Sequence, residues 1–225
     1  MKLTFYGHAT FLIDTGQHKI LFDPFISANP FCKGIDPLSI PCDFILLTHG
    51  HDDHVLDAEA IAKHHKAVIV ANFEVASWYM QKGLKVHPMN QGGSWNFDFG
   101  KVKMTSAVHS SVLPDGSYGG NPVGFIVYLH NKTFYYSGDT ALTMDMQLIP
   151  LWAKLDFSIL PIGDNFTMGY QDASRCADMV QCKKVVGVHY DTFDPIKLDK
   201  AAASAHFAEN GQELLLPGVG ETIEL

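Results

Sequence analysis

Residues 49–54 read His-Gly-His-Asp-Asp-His: three imidazoles and two carboxylates in six positions, one residue after the apolar run Phe44-Ile45-Leu46-Leu47. That run is short, partly β-branched and bounded by Cys42-Asp43, the pattern of a strand buried on both faces. The polar cluster therefore falls at a strand's C-terminal end, where open α/β sheets carry their sites. Gly50 permits a tight turn, so that His49 and His51 can converge on one cation while Asp53 and His54 converge on a second. Imidazole nitrogens and a carboxylate oxygen are donors of borderline softness, suited to zinc and also to manganese, iron or nickel. Asp52 has no place in this pattern and reads as a solvated or helix-capping carboxylate.

Two adjacent cations need donors from elsewhere in the chain. The β-rich run Val102–Val108 leads into His109, Thr133–Gly138 into Asp139, and Lys184–Val188 into His189, each followed by a loop. Asp23, ending the strand-like Lys19–Asp23 before Pro24, is suited to accept the second N–H of a ligand imidazole, which orients the ring and raises its basicity.

His49-Gly50-His51-Asp52-Asp53-His54, then His109, Ser137-Gly138-Asp139-Thr140 and His189, resemble the metallo-β-lactamase superfamily in order and spacing along essentially the whole chain. Tyr6-Gly7-His8-Ala9-Thr10-Phe11 and Leu21-Phe22-Asp23-Pro24 are similar to the branch of metal-dependent hydrolases that includes ascorbate-6-phosphate lactonase. The cysteine that commonly holds the second metal in zinc β-lactamases has no counterpart here. The resemblance implies an αββα four-layer sandwich and two divalent metal ions. One would sit on His49, His51 and His109, the other on Asp53, His54 and His189, with Asp139 bridging. It also implies a place for His8 at the rim of the site. The chemistry to expect is hydrolysis of a small ester, lactone or phosphoester by a hydroxide bridging the two ions, with Asp53 and Asp139 as the catalytic carboxylates and Asp53 able to shuttle a proton.

The rest of the chain must position these groups. Its 225 residues, 47% hydrophobic, suffice for one core and show no linker or repeat, so one domain spanning 1–225 is expected. A β-meander is expected over Lys2–Tyr6, Ala9–Asp14 and Lys19–Asp23, then helices over Leu56–His65 and Phe73–Lys82 with a buried strand Ala67–Ala71 between them. His87–Gly93 reads as a turn. In the second half, strands Val123–Leu129, Thr133–Ser137 and Asp156–Pro161 alternate with helical Met144–Leu151, Asp172–Lys183 and Ile196–Asn210. Residues 24–41 hold four prolines and exposed-looking apolars, so they form a loop that walls the pocket, makes a homo-oligomer contact or packs over the core. The glycine-rich 110–122 should overhang the site as a candidate lid, with Tyr118 a hydrogen-bond donor to substrate. The loop 161–170 could present Asn165 or Thr167 to substrate.

A net charge of −8 disfavours capture of nucleic acid or an anionic membrane face. This weighs against a nucleic-acid phosphodiesterase, and the lack of a flavodoxin-like extension weighs against a di-iron redox protein, so a small-molecule substrate is the expectation. Met1–His8 lacks a secretory h-region, and Cys32, Cys42, Cys176 and Cys182 show no paired spacing. A cytoplasmic protein with reduced, buried thiols fits both observations.

Overall fold

The computed structural model describes residues 1–225. The first half gives β1 (Lys2–Phe5), β2 (Phe11–Asp14), β3 (Lys19–Phe22), β4 (Phe44–Leu46), α1 (Asp52–Val55), α2 (Ala58–His65), β5 (Val68–Asn72), α3 (Phe73–Gln81) and β6 (Val86–Met89). The second gives β7 (Ser94–Phe97), β8 (Gly100–Ser106), β9 (Val123–Tyr128), β10 (Thr133–Tyr136), α4 (Ile149–Trp152), β11 (Phe157–Pro161), α5 (Tyr170–Met179), β12 (Lys184–Val188), α6 (Lys200–Glu209), β13 (Glu213–Leu215) and β14 (Thr222–Glu224). Two seven-stranded sheets result, in the orders β14-β1-β2-β3-β4-β5-β6 and β13-β12-β11-β10-β9-β8-β7.

Period-two side-chain alternation explains the layering. Along β2 and β3, Phe11, Ile13, Ile20 and Phe22 enter the core between the sheets, while Leu12 and Leu21 face the helices outside. Along β10, Phe134 and Tyr136 point to the inter-sheet core and Tyr135 to the opposite face, against α5 and α6. The result is an αββα sandwich. Its centre is aromatic: the Phe11 and Phe22 rings stack at 4.4 Å, and Phe134 and Phe157 at 4.9 Å.

Strand direction decides where the site falls. β1 and β3 flank the antiparallel β2, and β4 and β5 continue parallel to β3. In the other sheet β8 and β10 flank the antiparallel β9, and β11 and β12 run with β10. Each sheet therefore sends a set of C-terminal strand ends to one edge.

Several boundaries depart from the sequence expectation. His87–Met89, read as turn, belongs to strand β6, which pairs only with β5 at the sheet edge, where Pro88 costs no ladder bond. β7, β13 and β14 were not anticipated; they are three or four residues long, too short for a periodic signal. The helix expected over 56–65 is α2 from Ala58, and a separate short helix, α1, not expected from the sequence, begins inside the motif at Asp52. Asp57 stands at the N-cap position of α2 without a side-chain capping bond; its buried carboxylate accepts from the N–H groups of Ile26 (2.6 Å) and Ser27 (2.9 Å), pinning the 24–41 loop. That loop buries Phe25, Ile26, Cys32 and Ile40 and leaves Phe31 exposed. All four cysteines are free and buried. No helix is long and apolar enough to cross a membrane.

Phe22→Ala should cost about 3–5 kcal/mol in urea denaturation, since it empties a fully buried ring site that cannot collapse between two sheets. A loss below about 1 kcal/mol would show that the inter-sheet aromatics do not carry the fold.

Candidate metal centre

Six strand ends deliver the cluster: His8 follows β1, Asp23 β3, Thr48–His54 β4, His109 β8, Asp139 β10 and His189 β12. Three of these residues sit in the left-handed region, His8 at φ 53°, Asp23 at 41° and His189 at 57°, and Gly138 at 61° turns the chain before Asp139. Such conformations cost non-glycine residues roughly 1–3 kcal/mol each and persist only where neighbours fix them. Here the His189 N–H donates to the His8 carbonyl at 2.7 Å, and the Asp23 N–H to the Leu46 carbonyl at 3.1 Å.

The fully buried Asp23 carboxylate takes four hydrogen bonds. Its Oδ1 accepts from the Thr48 N–H (2.8 Å), and its Oδ2 from the Thr48 hydroxyl (2.8 Å), His54 Nδ1–H (3.0 Å) and the Tyr136 hydroxyl (2.6 Å). The proton on His54 Nδ1 leaves the Nε2 lone pair directed at the cluster. The Thr48 hydroxyl has spent its proton on Asp23, so at 3.0 Å it accepts from His49 Nδ1–H, and the His49 Nε2 lone pair also points inward.

The convergence fits a metal. Donor atoms of His49, His51 and His109 lie within 4.8 Å of one another, as do those of His49, His54 and Asp139, and those of His8, Asp53, His54 and His189. His49 Nε2 and His51 Nδ1 are 2.9 Å apart, so with His49 protonated on Nδ1 the only proton that can lie between them is one on His51 Nδ1. His54 Nε2 is 3.2 Å from Asp139 Oδ2 yet out of line for a hydrogen bond, a buried nitrogen without a partner. Asp139 Oδ2 also lies 3.0 Å from His189 Nε2 and 3.7 Å from His109 Nε2, between the other two groups.

Electrostatics point the same way. Burial disfavours charge on His49 and holds its pKa well below the usual imidazole value. Burial also opposes charge on His54, but Asp139, Asp23 and Asp53 outweigh it and raise that pKa well above the usual value. Without metal, a proton on His54 supplies the positive charge three carboxylates demand; a cation would take that role and leave Nε2 free to bind it. Burial resists ionisation of Asp53 and Asp139 as well, and the neighbouring imidazoles overcome it, holding both acids ionised.

His8 is more central than a rim position. Its Nε2 lies 3.0 Å from Asp53 Oδ2 and its Nδ1 2.9 Å from Thr192 Oγ1, and its side chain is fully buried. Burial first, then the His189 ring, lowers its pKa to about 4. A neutral His8 beside an acceptor-only carboxylate carries its proton on Nε2, so it donates to Asp53 and accepts from Thr192.

A cavity of about 280 Å³ opens in front of the cluster, bounded by His51, Asp53, His109 and His189 on one side and by Ser110, Phe166 and Phe193 on the other. Tyr118 and Asn165 are exposed and outside this lining; the Tyr118 hydroxyl donates to Asn121 Oδ1 at 3.2 Å. The 110–122 segment is tied down by the Gly50 N–H to Ser111 Oγ (3.1 Å), by Trp78 to Asp115 (2.6 Å) and by the Asn72 amide to the Gly119 (2.7 Å) and Asn121 (3.0 Å) carbonyls. Sequence reading passed over Thr48, Tyr136, Thr192, Phe166 and Phe193. Thr48, beside His49 at a strand end, was the one with a usable local signal.

Two sheets flanked by helices, with a His/Asp cluster at their strand ends able to hold metal, define a hydrolase of the metallo-β-lactamase fold. The chain belongs to the β-lactamase superfamily domain family, whose profile matches residues 18–190. It is 54% identical to the UPF0173 metal-dependent hydrolase of Christiangramia forsetii over 226 residues, with all of both chains covered. It is 46% identical to the UPF0173 metal-dependent hydrolase YtkL of Bacillus subtilis, again over all of both chains. Among solved structures it is similar to Igni18, a metallo hydrolase from Ignicoccus hospitalis, with TM-score 0.90 and 31% identity over 100% of this chain and 98% of that one.

Tyr136→Phe removes one of the four donors to Asp23 without changing the ring that packs in the core. It should leave metal stoichiometry intact and weaken affinity about tenfold or more, as losses of ligand-orienting hydrogen bonds do. Unchanged affinity in a chelator competition would mean that Asp23 does not act through its full set of donors.

Proposed function

We propose that the protein is a dinuclear metal-dependent hydrolase acting on a small ester, lactone or phosphoester. His49, His51 and His109 would hold one ion and Asp53, His54 and His189 the other, with Asp139 shared. The observation that carries this reading is the pair of inward-facing ring nitrogens, His49 Nε2 and His54 Nε2, oriented by the Thr48 and Asp23 hydrogen bonds to their Nδ1 atoms on either side of Asp139. Imidazole and carboxylate donors suit zinc, with manganese, iron and nickel as alternatives. Bound cations would supply a water of lowered pKa, towards ~7, and a Lewis acid for the scissile group.

The protein groups divide the remaining work. Asp53 is the carboxylate of the cluster open to the cavity, 27% exposed against 4% for Asp139. With Oδ2 engaged by His8, its Oδ1 is the oxygen to take a proton from incoming water and return it to the leaving group. Asp139, within ion-pair distance of His54 and His189, contributes negative charge between the two histidine sets. Thr192 and His8 hold Asp53 in place, and Phe166 and Phe193 limit water on the open side. With −8 net charge the chain should not bind duplex DNA or transfer RNA at physiological salt, which weighs against the nucleic-acid phosphodiesterase alternative.

Elemental analysis of protein purified without added metal should give about two equivalents of divalent ion. His109→Ala and His189→Ala should each retain roughly one, because each removes a ligand from a different set and spares Asp139. Hydrolysis should fall steeply in both. If calorimetric titration of His189→Ala still gives two equivalents with undiminished turnover, His189 is a core residue and the second site is misassigned. Asp139→Ala should weaken both sites at once.

A further inference from the structure

The wall of the cavity that the cluster does not build is aromatic. Phe166 is held there by a pinned loop: its N–H donates to the Asp164 carbonyl at 2.6 Å, Gly163 bridges Gly169, and the Met168 N–H donates to the Thr140 carbonyl, one residue past Asp139, at 3.0 Å. Phe193 is backed by the buried Phe25 ring at 6.3 Å and the His8 ring at 5.4 Å. Both residues remain substantially exposed, at 53% and 38%, beside the His/Asp cluster.

No ammonium or guanidinium group lines this cavity. The chain's only arginine, Arg175, lies exposed on α5 against Asp172, and the lysines that follow Phe193 are engaged by acids, Lys197 by Asp194 at 2.8 Å and Lys200 by Asp191 at 3.0 Å. A phosphate or carboxylate on the non-reacting part of a substrate, seated away from the His/Asp cluster, would meet the phenyl faces with no lysine or arginine side chain to pair with.

We infer that the substrate is an uncharged carbonyl ester or lactone whose aryl or short alkyl group lies between Phe166 and Phe193, and not a phosphorylated or carboxylated metabolite. This rests on the hydrolase reading and narrows it. Water's oxygen bonds to the acyl carbon, the acyl C–O bond breaks with its electron pair on the leaving oxygen, and that oxygen takes the proton water gave up. Acid and alcohol result, and no redox partner is needed. The cavity, about 280 Å³, falls just below the ~300–1,000 Å³ usual for small-molecule sites, so it suits a compact substrate with one small apolar group.

The test uses the full chain loaded with zinc and a matched series of p-nitrophenyl esters: acetate, hexanoate and the anionic hemisuccinate, with p-nitrophenyl phosphate alongside. In parallel, amide NMR shifts report binding of the neutral ketone 4-phenylbutan-2-one. The expected result is kcat/KM at least tenfold higher for hexanoate than for acetate, with hemisuccinate and phosphate at or below acetate. The hexanoate-to-acetate ratio should collapse by about fivefold or more in Phe166→Ala and in Phe193→Ala. Phe166→Lys should shift preference towards hemisuccinate. Turnover that favours the anionic substrates, or that ignores both phenylalanines, overturns the substrate class and leaves the hydrolase reading standing. No ester turnover, with the ketone shifting the Phe166 and Phe193 amides and weakened by Phe166→Ala, sinks the hydrolase reading and supports the apolar pocket. Neither turnover nor ketone binding overturns both.

Discussion

The carboxylate of Asp23 is the fixed point of the molecule. A charge buried at a strand end is costly unless every lone pair finds a donor, and here four do. Those donors come from both sheets. Thr48 and His54 follow β4 in the sheet that carries Asp23, and Tyr136 ends β10 in the other. One network therefore docks the sheets and sets the ring orientation of the candidate ligands. The two tasks cannot be separated: a sheet that slid by one residue would turn Tyr136 away from Asp23 and release both imidazoles that Asp23 steadies, His54 directly and His49 through Thr48.

The same coupling explains why strained residues cluster at this edge. His8, Asp23 and His189 occupy left-handed conformations, and three of them at roughly 1–3 kcal/mol each make a cost comparable to one or two buried aromatic rings. Over-determination sustains them. His189 N–H is held by the His8 carbonyl, the His8 ring by Asp53 and Thr192, and the Asp23 side chain by its four donors. The strain serves geometry, because a chain leaving a strand in extended conformation would carry these side chains away from the sandwich edge, whereas a left-handed turn folds them back over it. The two layers of aromatic and aliphatic contacts on either side of each sheet supply the stability against which that strain is set.

Much of this was legible in the chain. The His-x-His-x-Asp-His spacing after an apolar run, and three later strand-like runs ending in His109, Asp139 and His189, pointed to one site before any fold was known, because ligand type and strand end are both local features. Asp23 as partner of a ligand imidazole was legible for the same reason. What was not legible depends on distance. Tyr136 lies 113 positions from Asp23 and Thr192 184 positions from His8, and nothing in either stretch announces the contact. His8 could be noticed as a histidine at a strand junction, but its depth follows from how β1 and β12 meet. Phe166 and Phe193 stand singly in loops with no periodic signal, whereas Asn165 and Thr167 carry polar atoms that draw notice in a loop near the site. The short edge strands were lost for another reason, since three or four residues hold too little alternation to separate strand from turn.

The charge balance shows why such a cluster can fold before it binds anything. Asp23, Asp53 and Asp139 bring three negative charges around His54, and a protonated His54 offsets part of that charge without metal, so the ligand cage need not await cations to form. A cation held at His54 Nε2 would take the place of that proton and meet the same three carboxylates. No such exchange arises at His49, since burial already keeps it neutral with its lone pair exposed to the centre. The two halves of the site therefore differ in kind. The His49, His51 and His109 side gathers imidazole nitrogens with Asp139 as the nearest carboxylate, whereas the side around His54 is rich in carboxylate and would offer a cation the harder, more ionic surroundings.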